Sequence, residues 1–153
     1  MELILWRHAD AEDPGPRGDF ARELTRKGRR QAEAMADWLR PRLKGEWRVI
    51  ASPAARAVQT VTPLGLDYEV RPRLDPSARV EDYLRESGWP GGPDTILVGH
   101  QPTLGEVAAQ LLRGNAGDVA MRKGAVWWFT TRERGGKVET VLKTVIDPDT
   151  VAE

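Results

Sequence analysis

The sequence has no cysteine. It therefore has no disulfides, no catalytic thiolate and no zinc site built on cysteine ligands. Long apolar runs are also missing at the N-terminus. Residues 1–6 are too few to span a bilayer, and they carry neither the basic region nor the cleavage site of a secretory signal. These absences predict a cytoplasmic protein without a membrane partner.

Net charge is absent too, because 23 basic residues balance 23 acidic ones. This balance removes the electrostatic basis for a nucleic-acid partner, so any bound anion must be held by local geometry. The 153 residues, 40% hydrophobic and 30% charged, have the length and composition of one globular domain over residues 1–153. No feature of the sequence indicates an oligomeric state.

Strand-like and helix-like segments alternate along the chain, which predicts an α/β fold. Four segments are short apolar runs typical of buried strands: residues 2–6, 48–51, 68–70 and 95–98. Helices are predicted over about residues 25–43, 53–61 and 103–113. Residues 124–131 and 137–146 alternate like antiparallel strands joined by a turn over 132–136.

Local signals set the expected boundaries of these segments. Thr25 is a candidate N-cap, Ser52 is a second one followed by proline at the first helical position, and Gly114-Asn115 ends the last helix. Prolines and glycines predict a loop over residues 10–23 and an irregular stretch over 72–93, with one or two helical turns near residues 80–85.

The two histidines each follow an apolar strand at its C-terminal end. In an open α/β sheet, ligands bind in the crevice outside those ends. A third strand delivers Ser52 and Arg56 to the same edge. If the three strands are neighbours, Arg7, His8, Arg56 and His100 meet in one pocket.

This set of side chains suits a phosphoryl group. Arg7 and Arg56 can neutralise it and bind its oxygens through paired N–H donors, and helices beginning near Pro53 and Pro102 can aim backbone N–H groups at it. A neutral histidine can attack phosphorus through a ring nitrogen while the second histidine donates to the oxygens. Ser52 and Gln101, at the same strand ends, are candidate substrate-binding residues.

Two other interpretations of the histidines stay open. A histidine beside a strand end is commonly a structural or surface residue. The pair could also bind a transition metal together with Asp10 or Glu12, although adjacent arginines would repel a cation. We therefore expect no metal and no cofactor.

Three motifs, in order, resemble those of the histidine phosphatase superfamily. Leu-Trp-Arg-His-Ala at residues 5–9 is similar to its Arg-His-Gly signature. Residues 51–60 are similar to its Ser-Pro-x-x-Arg-Ala-x-Gln-Thr segment, and Gly-His at residues 99–100 matches its late Gly-His. The resemblance spans residues 3 to about 113.

The resemblance implies a three-layer α/β/α sandwich whose mostly parallel central sheet carries antiparallel C-terminal strands. It also implies that His8 is the phosphorylated nucleophile and that Arg7, Arg56 and His100 form the phosphate pocket. The segment Arg-Glu-Leu-Thr at residues 22–25, with Gly28 after it, resembles the short bacterial phosphohistidine phosphatases. Arg22 would then be a further phosphate ligand; its alternative is a solvated loop arginine.

Two departures from the family pattern bear on mechanism. Ala9 replaces the glycine of the signature, which tightens the backbone beside the nucleophile. The helical insertion with which larger members supply a general acid and a lid is missing. A general acid, if the enzyme has one, must then come from Asp75, Glu81 or Asp82, and Asp75 follows the third strand most closely. Each of the three is otherwise an ordinary loop carboxylate.

The missing insertion favours phosphohistidine on a protein as the substrate. A sugar alkoxide leaves poorly without a proton donor, whereas the ring of phosphohistidine departs as neutral imidazole when its other nitrogen is protonated. A site without a lid also admits a phosphorylated side chain of another protein. The alternatives are a phosphomonoesterase acting on a small phosphorylated metabolite and, in another class, a non-catalytic phosphate-binding module.

Overall fold

The computed structural model describes residues 1–114, 117 and 119–151. Its strands are β1 (Glu2–Arg7), β2 (Arg48–Ala51), β3 (Glu69–Val70), β4 (Thr95–Gly99), β5 (Val126–Arg134) and β6 (Lys137–Ile146). Its helices are α1 (Arg26–Leu39), α2 (Ala55–Val61), α3 (Val80–Ser87), α4 (Thr103–Arg113) and α5 (Pro148–Val151). Short 3₁₀ helices cover Asp19–Ala21, Arg40–Arg42, Thr62–Leu64 and Pro72–Leu74. None of the helices within the described residues is long and apolar enough to cross a membrane.

The six strands form one sheet in the order β3-β2-β4-β1-β5-β6. β1 and β2 both pair with β4 in parallel, and β3 pairs with β2 in parallel. β5 is antiparallel to β1, and β6 is antiparallel to β5. The predicted sheet is thereby confirmed. The strands that precede His8, Ser52 and His100 are neighbours in it.

Helices cover both faces of the sheet because both faces of its strands are apolar. Ile4 and Trp6 of β1 lie in a core shared with α1 and α2, whereas Leu3 and Leu5 lie in a second core shared with α3 and α4. All four side chains are fully buried. This alternation produces the expected three layers.

α1 is fixed at its start by local chemistry. The Thr25 side chain accepts a hydrogen bond from the Gly28 nitrogen at 2.9 Å, as an N-cap does. Gly28 must be small, because a Cβ there would lie 1.9 Å from the main-chain oxygen of Asp10. The α-helix ends at Leu39, earlier than predicted, since Pro41 has no N–H to continue the hydrogen-bond ladder.

Three other boundaries differ from the prediction. α2 begins at Ala55 rather than at Pro53, and its N-cap residue, Ala54, makes no side-chain cap. α3 has 8 residues, or about two turns as expected, but it ends at Ser87 rather than near residue 85. The hairpin turn consists only of Gly135 and Gly136, whose positive φ angles of 58° and 78° let the strands continue to the turn.

Two further predictions concern the end of α4 and the loop over residues 10–23. α4 ends at Gly114, as predicted, with the left-handed φ of 77° that glycine adopts without strain. The Asn115 part of that prediction lies outside the described residues. Residues 10–23 form a loop, but it contains the 3₁₀ helix Asp19–Ala21, which holds one side of the site described below.

Candidate active site

The ends of β1, β2 and β4 bring the two histidines together. Their ring centroids are 5.3 Å apart, with the ring planes tilted by 58°. The backbone continues the sheet pairing at this point, because the His8 nitrogen donates to the Gly99 oxygen at 3.0 Å and the Ser52 nitrogen donates to the Val98 oxygen at 2.9 Å. Parallel strand geometry alone therefore places the rings on one edge of the sheet.

The hydrogen bonds of His8 indicate its tautomer. Nδ1 lies 2.8 Å from the main-chain oxygen of Ala9, which can only accept a hydrogen bond. Nδ1 therefore carries the ring proton, and Nε2 keeps its lone pair. Nε2 accepts a hydrogen bond from Nε of Arg56 at 3.4 Å. The basic nitrogen thus points toward a guanidinium, where a phosphoryl group would be bound.

His8 is held in its neutral form. Burial lowers its pKa to about 4, the bond to Ala9 opposes this shift, and the charges of Arg56, Arg7 and Arg22 lower the pKa further. Only 8% of the residue is exposed. At neutral pH the ring is uncharged and nucleophilic.

The backbone at Ala9 is fixed from a second side. Ala9 is fully buried, and its nitrogen donates to Oγ1 of Thr60 at 3.0 Å. Its methyl group packs with Leu24 and Ala32. The alanine that replaces the glycine of the signature is therefore accommodated, and its carbonyl orients His8.

His100 is orientated by Ser52 and Tyr83. Its Nε2 lies 2.7 Å from Oγ of Ser52, and its main-chain nitrogen donates to the Tyr83 hydroxyl at 3.2 Å. Because Oγ of Ser52 also accepts from the Ala54 nitrogen, its hydroxyl proton is free to point at His100. Burial first, and then the charges of His8 and Arg56, lower the pKa of His100 to about 3.

Close packing makes Gly99 obligatory. A Cβ at Gly99 would lie 2.1 Å from the Tyr83 hydroxyl oxygen and 2.8 Å from the tyrosine ring. Tyr83 is fully buried on α3, within the short helical stretch predicted at residues 80–85. Its place beside His100 was not predicted from the sequence.

Arg56 and Arg7 approach His8 from different elements. Arg56, on α2, is only 4% exposed, and besides His8 it donates to Asp19 through both terminal nitrogens. Arg7, at the end of β1, donates from Nη1 to the Met121 oxygen at 2.6 Å, and burial lowers its pKa. The Nε atom of Arg7 is buried without a hydrogen-bond partner among the described residues.

Arg22 joins the group through Asp19. Its Nη1 lies 3.1 Å from Oδ1 of Asp19, and its Nε donates to the Glu12 oxygen at 2.6 Å. The charge of Arg22 reaches His8 strongly enough to lower the pKa of that ring. Asp19 was not identified from the sequence. The only signal was its spacing of three residues from Arg22, which suits an ion pair within one helical turn.

The last two candidate site residues, Gln101 and Asp75, have different surroundings in the structure. Both ends of the Gln101 amide bind main chain, at the Val119 oxygen and the Gly105 nitrogen, which favours a structural role over substrate binding. Asp75 accepts from Ser77 through one carboxylate oxygen, and its charge acts on His100 by raising the pKa of that ring. No hydrogen bond joins Asp75 to either histidine among the described residues.

No metal-ligand cluster is present in the part of the chain that the structure describes. There, no three histidine, aspartate or glutamate side chains are grouped closely enough to hold a metal ion. The groups around His8 are guanidiniums, which attract an anion.

Comparison with known proteins identifies the family. Residues 3–86 match the profile of the "Histidine phosphatase superfamily (branch 1)". The chain belongs to this superfamily. The matched range contains His8, Arg56 and both of the motifs around them. The expectation of a histidine-dependent phosphatase is thereby confirmed.

Two relatives in sequence and one solved structure resemble this histidine phosphatase over most of its length. "Phosphohistidine phosphatase SixA" of Escherichia coli (strain K12) is 31% identical over 123 residues, covering 74% of this chain and 76% of the relative. "Phosphohistidine phosphatase SixA homolog" of Haemophilus influenzae is 29% identical over 127 residues, covering 72% and 77%. The structure of "the protein histidine phosphatase SixA complexed with tungstate" has a TM-score of 0.79 at 28% identity, covering 97% of this chain and 98% of that one.

Proposed function

We propose that this histidine phosphatase removes the phosphoryl group from phosphohistidine on a protein, through a covalent phosphohistidine intermediate on His8. The observation that carries the proposal is the unprotonated Nε2 of His8, which faces Arg56 at 3.4 Å while Nδ1 is fixed by Ala9. A neutral ring with a fixed tautomer is the form that attacks phosphorus.

The first step transfers the phosphoryl group to the enzyme. The lone pair on Nε2 of His8 forms a bond to phosphorus as the bond from phosphorus to the substrate nitrogen breaks. The departing ring keeps that electron pair and leaves as neutral imidazole when its other nitrogen carries a proton. This leaving group needs no general acid, although Asp75 is the candidate donor for a substrate that does need one.

The second step returns His8 to its starting state. A water oxygen bonds to phosphorus, the bond from phosphorus to Nε2 breaks, and the proton lost by water leaves with phosphate or to solvent. Arg7, Arg56 and Arg22 stabilise the charge on the phosphoryl oxygens in both steps. His100 donates to the same oxygens while Ser52 holds its ring.

Two comparisons support phosphohistidine over a sugar phosphate. The two named relatives are called phosphohistidine phosphatases, and one solved relative is called a protein histidine phosphatase. In this chain a single 8-residue helix, α3, is the only α-helix described between β3 and β4. The described residues between these strands therefore contain no larger helical insertion of the kind that would form a lid.

Substrate preference is tested by comparing kcat/KM values. We expect hydrolysis of a phosphohistidine protein and of phosphoramidate to exceed that of sugar phosphates by at least about tenfold, since only the latter need a proton on the leaving oxygen. A higher kcat/KM on a small metabolite would instead support the phosphomonoesterase alternative.

The intermediate is tested by labelling. Wild-type protein quenched in alkali, where phosphohistidine survives, is expected to carry one labelled phosphoryl group, and the His8→Ala variant none. Failure to label wild-type protein from any donor would favour the non-catalytic binding module.

We further propose that the reaction is metal-independent and cytoplasmic, with no nucleic-acid or membrane partner. The cationic surroundings of His8 support the first point, and the zero net charge of the chain supports the last. Activity that is lost on chelation and restored by a divalent metal would contradict the proposed metal independence.

A further inference from the structure

The Asp19 carboxylate bridges two arginines of the proposed phosphate pocket. Its Oδ1 lies 3.1 Å from Nη1 of Arg22, and its Oδ2 lies 3.2 Å from Nη2 of Arg56. The main-chain oxygen of Asp19 also accepts from Nη1 of Arg56 at 2.9 Å and from the Arg22 nitrogen at 3.1 Å. One residue therefore holds both guanidiniums.

The three bonded side chains, Arg56, Asp19 and Arg22, extend from the buried part of the site to its surface. Arg56 is 4% exposed at the side chain, Arg22 23% and Asp19 50%. The remaining bond of Arg56, from Nε, is directed to the reactive nitrogen of His8. Asp19 therefore determines the orientation in which Arg56 meets a phosphoryl group on His8.

The carboxylate also carries charge into the pocket. The hydrogen bond from Arg22 holds the pKa of Asp19 below its ordinary value, so Asp19 is ionised at neutral pH. A phosphate dianion bound to Arg22 and Arg56 lies close to this charge and competes with it for the same N–H donors. The net attraction for phosphate is then smaller than three arginines alone would give.

We infer that Asp19 is a positioning residue that fixes Arg22 and Arg56 and, through its charge, limits how tightly the pocket retains phosphate. The inference rests on the proposed function, in which phosphate is the product and must leave in every cycle. A pocket of unopposed guanidiniums would bind that product tightly and slow its release.

Inorganic phosphate binding, measured by isothermal titration calorimetry at low ionic strength, tests the inference. The Asp19→Asn variant keeps the main-chain bonds to Arg56 and one side-chain acceptor but loses the charge. We expect it to bind phosphate about fivefold more tightly than wild type, as expected when a nearby like charge is removed. Asp19→Glu keeps the charge and is expected to bind with wild-type affinity.

Asp37→Asn is the matched control. Asp37 also pairs with an arginine three residues later, at 3.0 Å from Nη1 of Arg40, but it lies on the exposed side of α1. Its variant is expected to bind phosphate as wild type does. Phosphate inhibition of turnover gives a second readout, in which the inhibition constant falls for Asp19→Asn alone.

The outcomes separate this inference from the proposed function. Equal or weaker phosphate binding by Asp19→Asn, with wild-type thermal stability, overturns the inference that the charge of Asp19 limits phosphate retention, even if the enzyme hydrolyses phosphohistidine. Tighter binding by Asp19→Asn in a protein that never hydrolyses phosphohistidine supports the role of Asp19 and rejects the proposed substrate.

Discussion

Oγ of Ser52 lies 2.7 Å from Nε2 of His100, and this contact joins the ends of β2 and β4 through side chains. Both residues are buried. The serine that the sequence suggested as a helix cap contacts the second histidine and also accepts a hydrogen bond from the Ala54 nitrogen. The helix that follows begins at Ala55, two residues later than Pro53.

We expect Ser52→Ala to lower kcat about tenfold, because a buried ring nitrogen of His100 loses its partner and the ring loses its orientation. Steady-state kinetics on phosphoramidate measures the effect. Thr62→Ala, which removes an exposed hydroxyl bonded to the Val58 oxygen, is the control and should keep wild-type kcat. An unchanged kcat in Ser52→Ala would show that His100 is held without it.

Gly99→Ala should destabilise the fold by about 2 kcal/mol or more, because the added methyl group overlaps the fully buried Tyr83 hydroxyl. Chemical denaturation measures the loss. Gly91→Ala is the control, since a Cβ there has no neighbour within 4 Å among the described residues and its φ is not positive. Equal stability of the two variants would contradict the packing seen between β4 and α3.

Arg22→Ala is expected to reduce kcat/KM roughly tenfold, the cost of one charge-assisted hydrogen bond to phosphate. Arg17→Ala, which removes an exposed arginine of the same loop, should leave kcat/KM unchanged. Equal kinetics for both variants would favour the interpretation of Arg22 as a solvated loop residue.

The sheet and the central pair of the site were predictable because they depend on short-range patterns. Apolar runs define the parallel strands, and parallel strands bring the residues after them to one edge. The rings of His8 and His100 therefore lie close together at the predicted edge of the sheet.

What could not be predicted depends on contacts between residues far apart in the chain. Asp19 lies in a 3₁₀ helix without apolar periodicity, and only its bonds to Arg56, 37 positions later, show its place. Tyr83 faces His100 because α3 packs on β4, which no local signal encodes.

The low pKa values of the two histidines predict how stability and activity depend on pH. In the unfolded chain a histidine titrates near pH 6.5, whereas the folded values are about 4 for His8 and about 3 for His100. Between these values the unfolded state binds more protons, so the free energy of unfolding falls as pH falls from about 6.5 toward 4. For His8 alone the loss is roughly 3 kcal/mol, because its pKa falls from 6.5 to about 4 on folding.

Denaturant titrations of wild type and His8→Gln at pH 7 and pH 4.5 measure this difference. We expect the wild type to lose more stability than the variant over that interval, because glutamine does not titrate. The acid limb of kcat/KM should likewise have its midpoint near pH 4 rather than 6.5, since His8 stays neutral to that pH. An acid limb centred at 6.5, or equal pH slopes for the two proteins, would mean that burial does not hold His8 in its neutral form.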